Sequence, residues 1–278
     1  MNVEKYNGRT LSKFKTHHIA NFYVEIKSEA DIPEAFAFAK QACKDVFVLG
    51  AGSNVFFKNK KIKSAVLKNS LPQEIKHIDG DLFEVSAGVE MMKFLNFAFK
   101  DSRDCCYYLA SAPCQVGGAI AMNAGSGPKE AKSISDFIES VRVFDGEKIV
   151  EKQKDEIAFS YRHSDFIDKK CFIISAKFRL PKIEISGNPI RDRLAWATEK
   201  QDLATNNCGS MCNRYYAPIL KFTRFVFAKA PAGLSKKSLN WAVNNAENPR
   251  WLRVVFGTIK LLHKILCKPL KFEIRMID

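Results

Sequence analysis

The segment FSYRHSDF, residues 159–166, sets Arg162 among three aromatic side chains, with a histidine and a serine directly after it. A guanidinium is permanently charged and rarely buried unless something pairs with it. Two partners are open: an acidic side chain beside a strand arginine, or a reacting anion. Two runs of small residues offer a different chemistry. In VLGAGSNVFF (48–57), Gly50, Ala51, Gly52, Ser53 and Asn54 follow a strand-like run. Small residues there let a phosphate approach the backbone, and successive N–H groups can ring its oxygens. The spacing is neither GxGxxG nor a P-loop, so a Rossmann domain or a nucleotide triphosphatase is not indicated. A second cluster, LASAPCQVGGAIAMNAGSG (109–127), holds Gly117, Gly118, Asn123 and Gly125. Taken singly each is an ordinary turn; two separate small-residue loops in one chain suit a large cofactor that carries a pyrophosphate.

The elements that must position these residues can be read from periodicity. FYVEI (22–26) is a short strand, and residues 29–44 place Ile32, Ala35, Phe36, Ala39 and Cys43 at helical spacing. DVFVLG (45–50) is a buried strand ending on glycine, which completes a β-α-β unit. Strand-like runs at 64–67 and 82–88 precede a helix over 90–101. IESVRVFDGEKIVE (138–151) carries Asp-Gly between two alternating runs, a hairpin signal, and 171–180 closes the region as a strand. Beyond it the chain turns helical and basic. Asn248 and Pro249 cap and open a helix through about Cys267, Pro269 stops it, and 270–278 forms a terminal strand.

At 278 residues with 46% hydrophobic composition, the chain can bury a sizeable core. Neither a secretory signal nor an apolar run long enough to span a bilayer is evident, so a soluble, cytoplasmic protein is expected. Eight cysteines (Cys43, Cys105, Cys106, Cys114, Cys171, Cys208, Cys212 and Cys267) contain no CxxC pair. Buried or semi-buried free thiols are expected, and no metal site. The net charge of +14 is uneven: residues 181–278 carry 17 Lys+Arg against 7 Asp+Glu. Nucleic acid, a membrane surface, a polyphosphate-bearing small molecule or a merely solvated basic face would each account for that excess. No basic run interleaves with aromatics in an RNA-binding pattern.

LGAGSN, LASAPCQVGGAIAMNAG, FSYRHS, CGSMCNR, SKKSLNWAVN and FEIRMID fall in the order and approximate spacing of the UDP-N-acetylenolpyruvoylglucosamine reductase family, which the chain resembles from about Leu11 to its end. The resemblance implies an α+β fold with FAD bound across two small α/β subdomains (1–63 and 64–182). A C-terminal α+β subdomain (183–278) would bind the UDP-sugar. It implies NADPH as reductant and hydride transfer to the enolpyruvyl vinyl ether in bacterial peptidoglycan precursor synthesis.

Residue by residue, Arg162 matches the arginine that stabilises the developing enolate and its carboxylate. Ser210 matches the proton donor to the α-carbon, and Glu273 the C-terminal glutamate that assists there. Gly50 to Asn54, with Ala110, Ser111, Gln115, Gly117, Gly118, Met122, Asn123 and Gly125, fall on the cofactor loops. Tyr161, Arg214 and Asn240 fall on the substrate side, where Lys229, Lys236 and Lys237 are further candidates for the diphosphate. Phe159 and Tyr161 would wall the site. No nucleic-acid or membrane partner is implied, and the chain is expected to be a monomer.

The sequence departs from the family at His17-His18, where Gly-Gly is usual, and at Ala112-Pro113-Cys114-Gln115, where Ile-Pro-Gly-Thr is usual. It departs again at Met211-Cys212-Asn213-Arg214, at Lys236-Lys237-Ser238 and in a longer 125–136 loop. A flavoprotein of the same fold with altered activity is the alternative these changes raise, and a non-enzymatic basic module is a third.

Overall fold

A computed structural model describes residues 1–278 except 43, 128–130 and 170. Contacts gather the described residues into two compact units interleaved along the chain. One comprises Met1–Glu4, Phe22–Gly50 and Ser64–Ala195; the other comprises Lys5–Asn21, Ala51–Lys63 and Trp196–Asp278. The sequence division at 63 and 182 is into consecutive segments instead. Interleaving arises because the strand His18–Ile26 is divided between the units, as is the loop after Val46–Leu49.

The first unit begins as the expected β-α-β. Helix α1 (Asp31–Gln41) buries Ile32, Ala35, Phe36 and Ala39, the i, i+3, i+4, i+7 stripe that periodicity demands. Cys43, assigned to the same stripe, lies outside the described residues. The strand Ala65–Asn69 lies between Val46–Leu49 and the later half of His18–Ile26, parallel to both. Parallel strands buried on both faces read as apolar runs, and AVL and VFVL do. A five-stranded antiparallel sheet follows, in the order Ile149–Gln153, Ile138–Phe144, Phe172–Arg179, Leu82–Ser86, Ile75–Asp79. Its first two strands are the predicted hairpin; Asp145 Oδ1 accepts from the amides of Glu147 and Lys148, both at 2.9 Å, and Gly146 takes φ 110°. Helix α2 (Met91–Lys100) packs Met91, Phe94, Leu95 and Ala98 into this unit's core. The second small-residue run is only partly the loop that was expected: Gly117 and Gly118 lie inside α3 (Val116–Ala121), because Val116, Ala119 and Ile120 supply a buried helical face. The short α4 (Asp165–Asp168) follows the FSYRHS segment, and α5 (Pro189–Lys200) runs across the unit division.

The second unit is built on Phe14, Phe56 and Phe256, whose ring centroids lie 5.1–6.3 Å apart. Helices α6 (Ala217–Val226) and α7 (Arg250–Ile265) cover a three-stranded sheet ordered Asn207–Ser210, Trp241–Asn244, Ala232–Leu234. Asn248 Oδ1 accepts from Arg250 N at 2.9 Å, the capping role expected of it, although Pro249 stands just outside the helix. The helix stops at Ile265, short of Cys267, because Cys267 turns left-handed at φ 50°. Lys268 N then bonds the His263 carbonyl at 2.9 Å and Cys267 N the Lys264 carbonyl at 3.2 Å, a Schellman ending. The single terminal strand expected at 270–278 is instead two. Lys271–Phe272 pairs antiparallel with Cys212–Arg214, and Arg275–Ile277 pairs parallel with Val55–Phe57. Among the described cysteines, Cys105, Cys106, Cys171, Cys208 and Cys212 are buried free thiols and Cys114 is half-buried, as expected; Cys267, at the helix end, is exposed.

His18 is fully buried against Phe57. Its Nδ1 faces the Asn59 carbonyl at 2.9 Å, so Nδ1 carries the proton, and Nε2 accepts from the Thr16 hydroxyl at 2.7 Å. Burial, with the nearby His17 adding, lowers its pKa to about 4 against the carbonyl's opposing pull. The unfolded chain therefore binds a proton that the folded one refuses between about pH 6.5 and 4. Stability should be complete above pH 6.5 and fall by about 3 kcal/mol towards pH 4 from this residue. Urea unfolding across that range tests it: His18→Gln should flatten the slope, and an unchanged slope would remove His18 as its source.

Candidate active site

In the first unit Gly50, Gln115 and Gly118 come together. Lys68 Nζ holds the Gly50 carbonyl at the end of the strand. A Cβ on Gly50 would stand 3.3 Å from Gln115 Oε1 and 4.0 Å from Gly118 Cα. Gln115 Nε2 donates to the carbonyls of Asn69 and Gly88, each at 3.3 Å, so its side chain bridges two chain segments. Its Oε1 is buried and has no hydrogen-bond partner among the described residues. Gly118 faces open space, whereas a Cβ on Gly117 would meet Ala87 Cβ at 2.7 Å. Of the two adjacent glycines, one thus serves packing and the other leaves a surface bare.

The rest of the second run divides similarly. Ala110 is buried; Ser111 and Met122 are half-buried. Asn123 is buried at φ 41°, donating through Nδ2 to the Ser160 carbonyl at 3.0 Å and accepting from Ser135 N at 3.4 Å. Gly125 is bridged to Ser133 so closely that a Cβ would collide with the Lys132 carbonyl. Cys114, in place of the family's glycine, packs against the core, and burial pushes its thiol up to about 12. It is not a reactive group.

Arg162 is not a strand residue. Phe159–Ser160 and His163–Ser164 pair across a two-residue turn, and Arg162 occupies its second position at φ 56°. That conformation favours glycine or asparagine, so an arginine there is held against a local cost. Asn123 secures the Ser160 side of the turn, and Arg162 Nη2 donates to the Ser126 carbonyl at 3.0 Å. The guanidinium stands 5.1 Å over the Tyr161 ring, itself about half exposed. Tyr108, which no sequence signal singled out, has a buried hydroxyl without a hydrogen-bond partner among the described residues. Burial raises its pKa; Cys106 and Asp136 add to that, and the Arg162 charge opposes it.

The second unit holds Ala51, Gly52, Ser53 and Asn54 together with Ser210 and Glu273. Gly52 takes φ 69°, and its missing Cβ makes room for the Leu11 carbonyl. Cys208 Sγ lies 3.6 Å from the Gly52 carbonyl. Ser210, half-buried, ends its strand after Gly209, which takes φ 70° at an irregularity in the register. The next residues are tied down by Asn240: its carbonyl accepts from Met211 N at 2.8 Å, its Oδ1 from Cys212 N at 3.1 Å, and its Nδ2 donates to the Cys212 carbonyl at 2.7 Å. The Met211 carbonyl accepts from Glu273 N at 2.9 Å and Ile274 N at 3.4 Å. Asn54 Nδ2 donates to the Glu273 carbonyl at 3.3 Å, and Asn54 accepts from Arg275 N at 3.1 Å. Glu273 thus sits where the chain changes strand partner, one backbone hydrogen bond from the residue after Ser210. Burial, with the Glu273 charge adding, pushes the Cys212 thiol up to about 12. Arg214, Lys229, Lys236 and Lys237 are exposed, and Lys237 Nζ reaches the Thr198 carbonyl at 3.2 Å.

Residues 20–150 match the FAD binding domain family. A UDP-N-acetylenolpyruvoylglucosamine reductase from Lactococcus lactis is 30% identical over 231 residues, covering 78% of this chain and 74% of that protein. The chain belongs to the UDP-N-acetylenolpyruvoylglucosamine reductase family. The Chlamydia felis member is 27% identical over 86% of this chain and 82% of its own length. The Aquifex aeolicus member is 34% identical over 160 residues, 57% of this chain and 53% of that protein. The crystal structure of the Thermus caldophilus reductase aligns over the whole of both chains with a TM-score of 0.74 at 21% identity, the same α+β fold.

This family member is therefore a flavin-dependent oxidoreductase with FAD as its cofactor. The residues present fit such a group. Gly118 leaves its side of the surface open, and the orphaned Gln115 oxygen beside Gly50 offers an acceptor there. Gln115 replaces a smaller hydroxyl residue, yet its amide spans to Asn69 and Gly88 while the oxygen stays available. Gln115→Leu should weaken FAD binding about tenfold, the loss of one buried hydrogen bond. Quenching of flavin fluorescence on titration reads this directly; undiminished affinity would take Gln115 out of the cofactor site.

Proposed function

We propose that the protein reduces UDP-N-acetylglucosamine enolpyruvate to UDP-N-acetylmuramate with NADPH, in the cytoplasm, as a step of peptidoglycan precursor synthesis. The reading is supported by the names its relatives carry and by the match of Arg162, Ser210 and Glu273 to the family's motifs. The single observation that carries it is the left-handed backbone at Arg162, a local cost for which a fixed guanidinium is the return. Segments 1–63 and 64–182 hold FAD in this reading, and 183–278 the UDP-sugar.

FAD held beside Gly50, Gln115 and Gly118 would supply the hydride chemistry, taking a hydride from NADPH and passing one to the β-carbon of the enolpyruvyl group. Arg162 then stabilises charge developing on the substrate's enolate and adjoining carboxylate, with its fork oriented by the Ser126 carbonyl and the Tyr161 ring. Ser210 gives the α-carbon its proton; a hydroxyl needs help to do so, and Glu273 assists at that carbon. Tyr161 walls the substrate, while Arg214 and Asn240 serve its binding side. In the first unit Gly50 and the loop residues from Ala110 to Gly125, and in the second Ala51 to Asn54, are the residues that would hold the cofactor.

The purified protein should show a flavin absorption band that NADPH bleaches anaerobically and that returns only when the UDP-enolpyruvyl sugar is added. A band that bleaches but does not return with the sugar would leave a flavoprotein of this fold and remove the substrate assignment. Ser210→Ala should lower turnover by about 10²–10⁴-fold while leaving the NADPH half-reaction intact. Arg162→Lys, which keeps the charge but loses the planar fork, should cost about 10²–10³-fold in the sugar half-reaction alone. Full turnover in either variant would remove that residue from the chemistry.

A further inference from the structure

Helix α7 has two apolar stripes. Leu252, Val255, Phe256 and Ile259 face the core, and on a second line Trp251, Val254, Leu261 and Ile265 are exposed, Ile265 by 63%. A helix on a protein surface normally has one apolar stripe and a polar remainder. On this one, Arg250, Arg253, Lys260 and Lys264 fill the sector beside the exposed stripe. Helix α6, packed against α7, repeats the arrangement: Phe222 is 54% and Phe225 81% exposed, next to Val226 and flanked by Lys221 and Arg224. Phenylalanine in water to that extent is unusual, and two helices presenting large apolar side chains make more than scattered exposure.

Charge decides what covers them. From residue 217 to 272 the sequence has eleven lysines and arginines and a single acid, Glu247. We infer that α6 and α7 dock on an anionic lipid bilayer surface, with the Phe222, Phe225, Trp251 and Ile265 side chains entering the headgroup boundary and the flanking lysines and arginines meeting the lipid phosphates. Tryptophan and phenylalanine beside lysine and arginine are the composition of helices that lie in that interface. No helix of the described residues is long and apolar enough to cross a membrane, and the attachment inferred is of two helices lying in the interface plane. This sets aside the expectation from sequence that no membrane is involved; the exposed stripes overlap the core periodicity of the same helices and are invisible until burial is known. It is independent of the proposed reaction, since none of these residues is assigned to cofactor or substrate.

The test is flotation of the whole protein with vesicles of phosphatidylcholine containing one part in four phosphatidylglycerol, and with phosphatidylcholine alone. Binding should need the anionic lipid and weaken with added salt, each basic residue near the surface contributing about fivefold in partitioning. Phe222→Ser with Phe225→Ser, and separately Lys260→Glu with Lys264→Glu, should each reduce binding at least about tenfold. Because these side chains are exposed, far-ultraviolet dichroism and the flavin spectrum should remain unchanged. Equal flotation with both vesicle types, undiminished binding by either variant, or no binding at all would overturn the inference. So would a wild-type dimer on sizing chromatography that the phenylalanine variant dissociates, which would give the surface to a second copy of the chain.

Discussion

Much of the second unit hangs on the backbone of Met211 and Cys212. The sheets around this segment are short, two or three strands each, so no long ladder satisfies the amides and carbonyls that follow Ser210. Asn240 substitutes for a ladder by giving Met211 and Cys212 three hydrogen bonds from one residue, two of them through its carboxamide. The Met211 carbonyl then fixes Glu273 and Ile274. One asparagine therefore determines where both a candidate proton donor and a candidate acidic partner lie. Aspartate could accept from Cys212 N but could not donate to its carbonyl, so the position demands an amide.

The first unit secures its charged residue by another route. Arg162 stands in a left-handed turn, a conformation that the two-residue hairpin alone would leave marginal. Asn123, itself left-handed and buried, anchors the turn from the end of α3, and the Ser126 carbonyl anchors the guanidinium. The small-residue run and the arginine are consequently one construction. A change at Asn123 would be felt at Arg162 before it was felt in the core.

Local elements were legible in the sequence wherever a single period ruled. The stripe of α1, the Asp-Gly hairpin and the start of α7 all follow from short-range pattern and turn chemistry. What was not legible depended on partners distant in sequence. The strand at 270–278 splits because its amides find Met211 and then Asn54, which no local pattern encodes. For Arg162 the sequence left a strand arginine and an anion-binding one open, because the turn that holds it depends on Asn123 and Ser126, distant in sequence. Tyr108 had no signal, for a tyrosine beside a tyrosine is ordinary until its hydroxyl is found buried. In the cofactor run, the glycines looked equivalent; only the approach of Ala87 separates packing Gly117 from open Gly118.

The departures from the family pattern have physical explanations that bear on one another. Cys114 fills core space, and Cys208 and Cys212 are buried thiols whose pKa values are raised to about 11 and about 12, so three thiols near functional segments are chemically quiet. His18 is held neutral by burial, while Thr16 and Asn59 fix its tautomer. The basic excess is different in kind, because acids are too few to balance it: residues 217–272 hold eleven lysines and arginines and one acid. A diphosphate and a carboxylate require a handful of cations, whereas the C-terminal 98 residues hold 17 lysines and arginines. Six of these (Lys221, Arg224, Arg250, Arg253, Lys260 and Lys264) lie on two helices that also expose Phe222, Phe225, Trp251 and Ile265. Charge retained for solubility alone would be served better without the aromatics, and a substrate site would be served better without such exposure. Their coincidence on one helix pair calls for a partner that is at once apolar and negative.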